Sequence, residues 1–243
     1  MRASQRAWFF VAVLPIASAA AEPRVAHSGT QRTALLELFT SEGCSSCPSA
    51  DAWLHDALPS LRAARVVPIA LHVDYWNELG WIDPYSDARY TARQHRLAAA
   101  SHGQVYTPEL TLNGRELRRA KLEERLREVA KDRAPELSIS VRGTESLAIT
   151  ATVKNAPSGA RLYLAAYERS VEVDVPRGEN ARKHLVHDVV VRRLVGPLAL
   201  DAGEQTLTLP PGSRGEQLGV LAFLEAGGAT EVLQVVSVEP ARP

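Results

Sequence analysis

The chain holds two cysteines, and both fall in one short stretch, Leu35-Leu36-Glu37-Leu38-Phe39-Thr40-Ser41-Glu42-Gly43-Cys44-Ser45-Ser46-Cys47-Pro48. The bulky apolar series Leu35, Leu36, Leu38 and Phe39 predicts a short strand, stopped by the polar turn Thr40 to Gly43. Pro48 fixes φ where a missing N–H costs nothing, in the first turn of a helix, and Trp53, Leu54, Ala57, Leu58 and Leu61 then recur at helical spacing. Strand, turn and helix thus place both sulfurs at a helix N-terminus, where unpaired N–H groups and the helix dipole favour a thiolate. Such a setting lowers a cysteine pKa from about 8.5 to roughly 3.5–7.5, so Cys44 is expected to attack and Cys47 to resolve. A structural disulfide and half of a metal site are the competing readings. Zinc asks for about four ligands, and the sequence offers no second C-x-x-C.

With 243 residues, 45% of them hydrophobic, the chain is long enough for one large or two small domains with real cores. Its 28 basic and 28 acidic residues balance, which gives no reason to expect a nucleic acid or an anionic membrane as partner. Residues 1–21 read as a secretory signal peptide: Arg2 and Arg6 precede the apolar run Ala7 to Ile16, and Ala17-Ser18-Ala19 or Ala19-Ala20-Ala21 offers small residues for cleavage. The apolar run is too short for a permanent membrane span. Cleavage would remove those two arginines and leave a formal charge of −2. The mature chain is therefore expected to be secreted or periplasmic, with no membrane association after cleavage, in a compartment where the pair would rest as a disulfide.

Residues 22–33 read as a loose polar leader. After the cysteine helix, Arg65 to Val73 forms a second β-like run, which completes a β-α-β unit and implies parallel strands under helices. The segment Asp74 to Tyr85 is rich in aromatic and turn residues; Trp76, Trp81 and Tyr85 either cover the core or line a groove beside Cys44. Ser86 to Ala100 favours a helix, with Ser86 as its cap and Arg89, Arg93 and Arg96 on a solvated face. Val105 to Leu112 then leads into Asn113-Gly114, a hairpin signal. On composition alone the Thr107-Pro108 bond is expected to be trans. A charged amphipathic helix, Lys121 to Arg133, closes at Pro135. From Glu136 onward, short alternating runs separated by Pro- and Gly-rich turns predict an antiparallel sandwich of about eight strands. The expected layout is thus a leader at 22–33, an α/β domain at 34–134 with an insertion around 74–103, and an all-β antiparallel sandwich domain at 135–243.

Four blocks carry a resemblance. Glu37 to Pro48, His72-Val73-Asp74-Tyr75-Trp76, Val105-Tyr106-Thr107-Pro108, and Gly178-Glu179-Asn180 with His187 resemble the secreted bacterial thioredoxin-like family catalogued as domain of unknown function 1223. The likeness spans nearly all of the mature chain. Ser49 departs from it where a second proline is expected, and Asn77 where an acidic residue is usual. The resemblance implies that the first domain is an α/β thioredoxin-like domain and that Pro108 is a cis-proline whose loop faces the cysteines. Thr107 and Pro108, with Trp76, would then contact substrate, the Thr107 backbone pairing with an extended peptide. It also implies a role for Glu37, which lies where thioredoxin-like proteins carry a buried acid that handles the resolving cysteine's proton. His55 and His72 are weaker candidates, and His187 reads as a strand residue with at most an interface role.

These features predict a thiol-disulfide oxidoreductase, with Cys44, Cys47 and Glu37 as its catalytic set and no cofactor. Its partners would be a protein or small thiol/disulfide substrate and a redox partner that the sequence does not identify. The alternatives are a copper-binding module using Cys44, Cys47 and His72, since soft thiolates suit Cu(I), and a protein-interaction module braced by a structural disulfide.

Overall fold

A computed structural model describes residues 22–129 and 131–240; the expected signal peptide lies outside them. The described residues are mostly β-strand, in several sheets, with few helices. In chain order the elements are β1 (Arg24–His27), β2 (Ala34–Thr40), α1 (Pro48–Ala63), β3 (Val66–His72), α2 (Ala88–Ser101), β4 (Glu109–Leu112), β5 (Arg115–Glu116) and α3 (Leu122–Val129). There follow β6 (Glu136–Arg142), β7 (Ser146–Lys154), β8 (Arg161–Glu168), β9 (Val171–Asp174), β10 (His184–His187), β11 (Val190–Leu198), β12 (Gln205–Thr208), β13 (Leu218–Glu225) and β14 (Val232–Val238).

The β-α-β unit forms as its pattern demands. β2 and β3 run parallel in register from Ala34 opposite Val66 to Thr40 opposite His72, joined by α1, and every residue of both strands is buried. β4 pairs antiparallel with the other edge of β2 and turns back through Asn113 and Gly114 into β5. Both turn residues are left-handed, at φ 51° and 79°, which is what a two-residue hairpin requires. A Cβ on Gly114 would also stand 2.0 Å from the Thr230 carbonyl oxygen.

The expected division into an α/β domain and a self-contained sandwich is not what the topology shows. One sheet of order β14-β13-β8-β11-β3-β2-β4-β5 runs through both halves, joined where β11 pairs parallel with β3 at Val190 and Ala70. β3 would otherwise end the first half with an open row of N–H and C=O groups, and β11 pairs with it there, Ala70 N–H donating to the Val189 carbonyl at 2.9 Å. The sandwich is still present as a second layer: the sheet β1-β6-β7-β12 lies over β8, β13 and β14. Period-two alternation lets β8 and β13 serve both cores. Leu162, Leu164, Ala166, Val220, Ala222 and Leu224 face Leu137, Ile139, Leu147 and Ile149 of the second layer, while Tyr163, Ala165, Tyr167, Leu221 and Phe223 join the core that α1 and α2 cover.

Two local expectations are also corrected. The leader at 22–33 is not loose throughout, because β1 pairs antiparallel with β6, from Arg24 opposite Val141 to His27 opposite Ser138. Its backbone groups find strand partners that its side chains do not advertise. Helix α2 is capped by the Asp87 side chain, which accepts from the Arg89 N–H, rather than by Ser86. Its Arg93 is buried rather than solvated, for reasons that belong to the site.

Candidate active site

Cys47 is the N-cap residue of α1, and Pro48 takes the first helical position. Cys44 and Cys47 are joined as a disulfide with a Cα–Cα distance of 5.4 Å. Both are 0% exposed, although Ser45 and Ser46 between them are exposed. The turn before them needs a glycine, since a Cβ on Gly43 would stand 2.9 Å from the Trp76 Cβ. Trp76 therefore lies directly on the turn. Its indole N–H donates to Thr107 Oγ1 at 2.8 Å, and the Thr107–Pro108 bond is cis. The structure thus brings Cys44, Cys47, Trp76, Thr107 and Pro108 into one neighbourhood, with Trp76 bridging the cysteine turn and the proline loop.

Glu37 is not part of it. Side chains alternate along a strand, and on β2 it is Thr40 that faces α1, its hydroxyl donating to Asp51 Oδ2 at 3.1 Å. Glu37, an odd number of residues away, points to the opposite face. There Arg93 of α2 holds it by two bonds, Nε to Oε1 at 2.5 Å and Nη2 to Oε2 at 3.0 Å, with Thr111 Oγ1 at 3.3 Å. The same guanidinium donates to Glu225 Oε1 at 2.6 Å and lies 4.8 Å from the Phe223 ring centroid. Arg93 is drawn into the interior by two buried carboxylates, Glu37, which has no other cation among the described residues, and Glu225, which it shares with Arg96.

The acid beneath the disulfide is Asp51. It sits one helical turn beyond Cys47, its backbone N–H donating to the Cys47 carbonyl at 3.1 Å, so the two side chains share a helix face. Burial raises its carboxyl above the ordinary range, against the pull of His187, His72 and the Thr40 hydroxyl. Around it gather Glu42, His72, Asp83 and His187, all buried. His72 Nδ1 is 2.7 Å from Asp83 Oδ2, and Asp83 Oδ2 also accepts from the Glu42 N–H at 2.9 Å. Burial alone would discharge His72, but Asp83, with Asp51 and Glu42 behind it, outweighs burial and holds it at about 9. The β9–β10 hairpin delivers His187, whose Nε2 lies 3.5 Å from Glu42 Oε1 and whose Nδ1 lies 3.8 Å from Asp51 Oδ2. Its ring meets that of His72 edge to face, with centroids 4.9 Å apart. His187 is thus more than the interface residue expected, and His55, one helical turn beyond Asp51 on α1, lines a cavity with Asp51 and His187 and is bonded to Asp188 at 2.5 Å.

One consequence is measurable. A histidine whose folded pKa lies above its unfolded value stabilises the fold fully below about pH 6.5 and loses that contribution as pH rises through about 9. Glu109, next to Pro108, is raised by burial to about 7, so its own downward slope ends near there. Unfolding free energy measured by urea titration is expected to keep falling between pH 7 and 9.5, and His72→Gln is expected to flatten that part of the profile. An unchanged slope in the variant would remove the charged His72 from the account.

Asp51, Glu42 and Asp83 went unread in the sequence. Asp51 had a signal: it lies on the same helical stripe as Leu54, Leu58 and Leu61, which the structure buries with it. Glu42 and Asp83 sit in turn and loop segments with no periodicity to show which way they face. The trio Cys44, Cys47 and His72, considered above for copper, is not assembled as a ligand set, because the sulfurs bond each other and His72 Nδ1 is held by Asp83. Among the described residues, no group of three or more His, Cys, Asp or Glu side chains is placed to hold a metal ion.

Comparison with known proteins agrees with the architecture and leaves the chemistry open. The chain is similar to an X-ray crystal structure of an Agrobacterium tumefaciens protein determined as a structural genomics target, with 26% identity and a TM-score of 0.63 over 88% of this chain and 96% of that one. No curated protein matches it. A family described as protein of unknown function (DUF1223) matches residues 35–225, and the chain belongs to that family.

Proposed function

We propose that the chain is a thioredoxin-like thiol-disulfide oxidoreductase that works in the periplasm or outside the cell. The observation that carries this reading is the Cys44–Cys47 pair at the N-terminus of α1, with Trp76 packed on its turn and bonded to Thr107 beside the cis Pro108, and with the buried Asp51 one helical turn further on. Helix N–H groups favour the thiolate that initiates exchange. A cis proline leaves the preceding backbone open to an extended peptide, and a buried carboxyl whose pKa burial raises can take and return a proton. The signal-like residues 1–21 support a destination where disulfides persist.

In the reducing direction, a dithiol or thiol partner first opens the Cys44–Cys47 bond, passing two electrons to it. Cys44 thiolate then attacks a substrate disulfide, forming a mixed disulfide and releasing one substrate thiolate. Cys47 gives its proton to the Asp51 carboxylate and attacks the Cys44 sulfur, which re-forms the internal disulfide and expels the second substrate sulfur as a thiolate, and Asp51 returns the proton to it. Two electrons have moved from the pair to the substrate. Oxidation of a substrate dithiol is the same sequence reversed.

The test is the reduction potential of the pair, by equilibration in glutathione or dithiothreitol buffers and trapping of free thiols. The expected value lies within about −270 to −120 mV, the span of catalytic pairs. A value below about −300 mV would make the bond structural and end this reading.

A further inference from the structure

The sulfurs are fully covered, and part of what lies over them comes from more than 130 residues away in the chain. The loop 175–183 between β9 and β10 is closed on itself by Val175 N–H to the Lys183 carbonyl at 3.0 Å and Arg182 N–H to the Val175 carbonyl at 2.7 Å. Its Asn180, 0% exposed, spends both amide hydrogens on the cysteine turn, donating to the Glu42 carbonyl at 2.8 Å and the Cys44 carbonyl at 2.9 Å. The Asn180 side-chain oxygen in turn accepts from Lys183 Nζ at 2.8 Å. Gly178 lies against Trp81, a Cβ there falling 3.1 Å from the Trp81 Cβ, and Trp81 Nε1 donates to Glu42 Oε2 at 2.6 Å. Between them stands Glu179, whose Oε2 accepts from the Ser45 N–H at 3.0 Å.

That last bond has a chemical cost. The Ser45 amide directly follows Cys44, in the exposed turn before the Cys47 N-cap of α1, where a free backbone N–H is a donor within reach of a neighbouring thiolate. In this chain that donor is held by the carboxylate of Glu179, an exposed residue, which brings a negative charge to the amide next to Cys44, whose sulfur must itself become negative. Glu179 is well suited to the position, since the Ser45 bond keeps its carboxyl below the ordinary range and so charged.

We propose that the 175–183 loop restrains Cys44: Glu179 withholds the Ser45 amide and opposes the thiolate, while Asn180 pins the carbonyls on both sides of Gly43. Cys44 becomes a strong nucleophile when a substrate or redox partner displaces the loop. Glu179 is a positioning residue in this scheme. The inference rests on the redox reading of the pair, but its test does not.

The test uses the full mature chain, reduced, with the rate of Cys44 alkylation by iodoacetamide followed from pH 5 to 10. Glu179→Gln keeps the size and the acceptor and removes the charge. The other ionisable groups around the pair remain: Glu42 on the turn, Asp51 on α1, His72 and Asp83 beneath it, and His187 and Lys183 from the hairpin. The Cys44 pKa is expected to fall by about half a unit to one unit, which makes alkylation at pH 7 about 3–10-fold faster. At pH 10, where both proteins carry the thiolate, the rates should converge. Asn180→Ala is expected to speed alkylation at every pH, because it loosens the cover. Equal Cys44 pKa values in the parent chain and Glu179→Gln would overturn the proposal, as would a rate gain in that variant that persists undiminished at pH 10. A reduction potential in the structural range would end the oxidoreductase reading and leave this comparison of pKa values intact.

Discussion

Arg93→Ala is expected to lower the unfolding free energy by about 3–5 kcal/mol, the range found when one partner is removed from a buried ion pair. The variant leaves Glu37 and Glu225 buried, one without any cation and the other dependent on Arg96, whose side chain is 40% exposed. Three elements meet at this guanidinium, since Glu37 is on β2, Glu225 on β13 and Arg93 on α2. The ring face of Phe223 also loses its cation, while that of Tyr163 keeps Arg96. Arg96→Ala is the comparison: it removes a half-exposed pair to the same Glu225, where about 1 kcal/mol or less is expected. Folded proteins of ordinary stability hold about 5–15 kcal/mol, so the first variant stands near the limit of folding and the second does not. Urea denaturation of both separates them. A loss of under about 1 kcal/mol for Arg93→Ala would show that the two carboxylates are satisfied without it.

The same cluster shows where sequence reasoning stops. The helix over 86–100 was legible from composition, but its three arginines look alike there, and Arg93 is distinguished by carboxylates 56 and 132 positions away in the chain. Nothing local marks it. The join of the two halves is hidden for a similar reason: one parallel pairing, Val190 with Ala70, turns two apparent domains into a shared sheet. By contrast the cysteine turn, its strand and its helix were legible because each rests on near neighbours: an apolar run, a turn, a proline at the first helical position. Parity alone separates Glu37 from the cysteines, since a strand that turns Thr40 towards α1 must turn Glu37 away from it. The stripe Asp51, Leu54, Leu58 and Leu61 likewise contained the buried acid in plain view.

Cys44→Ser is expected to abolish disulfide exchange, Cys47→Ser to arrest it, and Asp51→Asn to slow it by a pH-dependent factor. Without Cys44 there is no attacking sulfur, and turnover of a disulfide-bonded peptide with dithiothreitol as reductant should fall to the uncatalysed rate. Without Cys47 the mixed disulfide forms but lacks its internal resolving thiol, so a covalent adduct of Cys44 should accumulate and be visible by mass. Asp51 is expected to act on the second step. Its carboxyl lies on the Cys47 face of α1, in a cluster from which Thr40, His72 and His187 bias its charge. Loss of a positioned proton acceptor costs about 10²-fold or more, so resolution of the mixed disulfide should slow by that order at pH 7 while its formation is unaffected. The defect should shrink as pH rises past the Cys47 thiol pKa, where no proton remains to be taken. A merely structural role for Asp51 would depress the rate equally at every pH. A Cys44→Ser protein that still exchanges disulfides at the parent rate would remove the pair from the chemistry altogether, and with it the reason for reading Trp76, Thr107 and Pro108 as a substrate cleft.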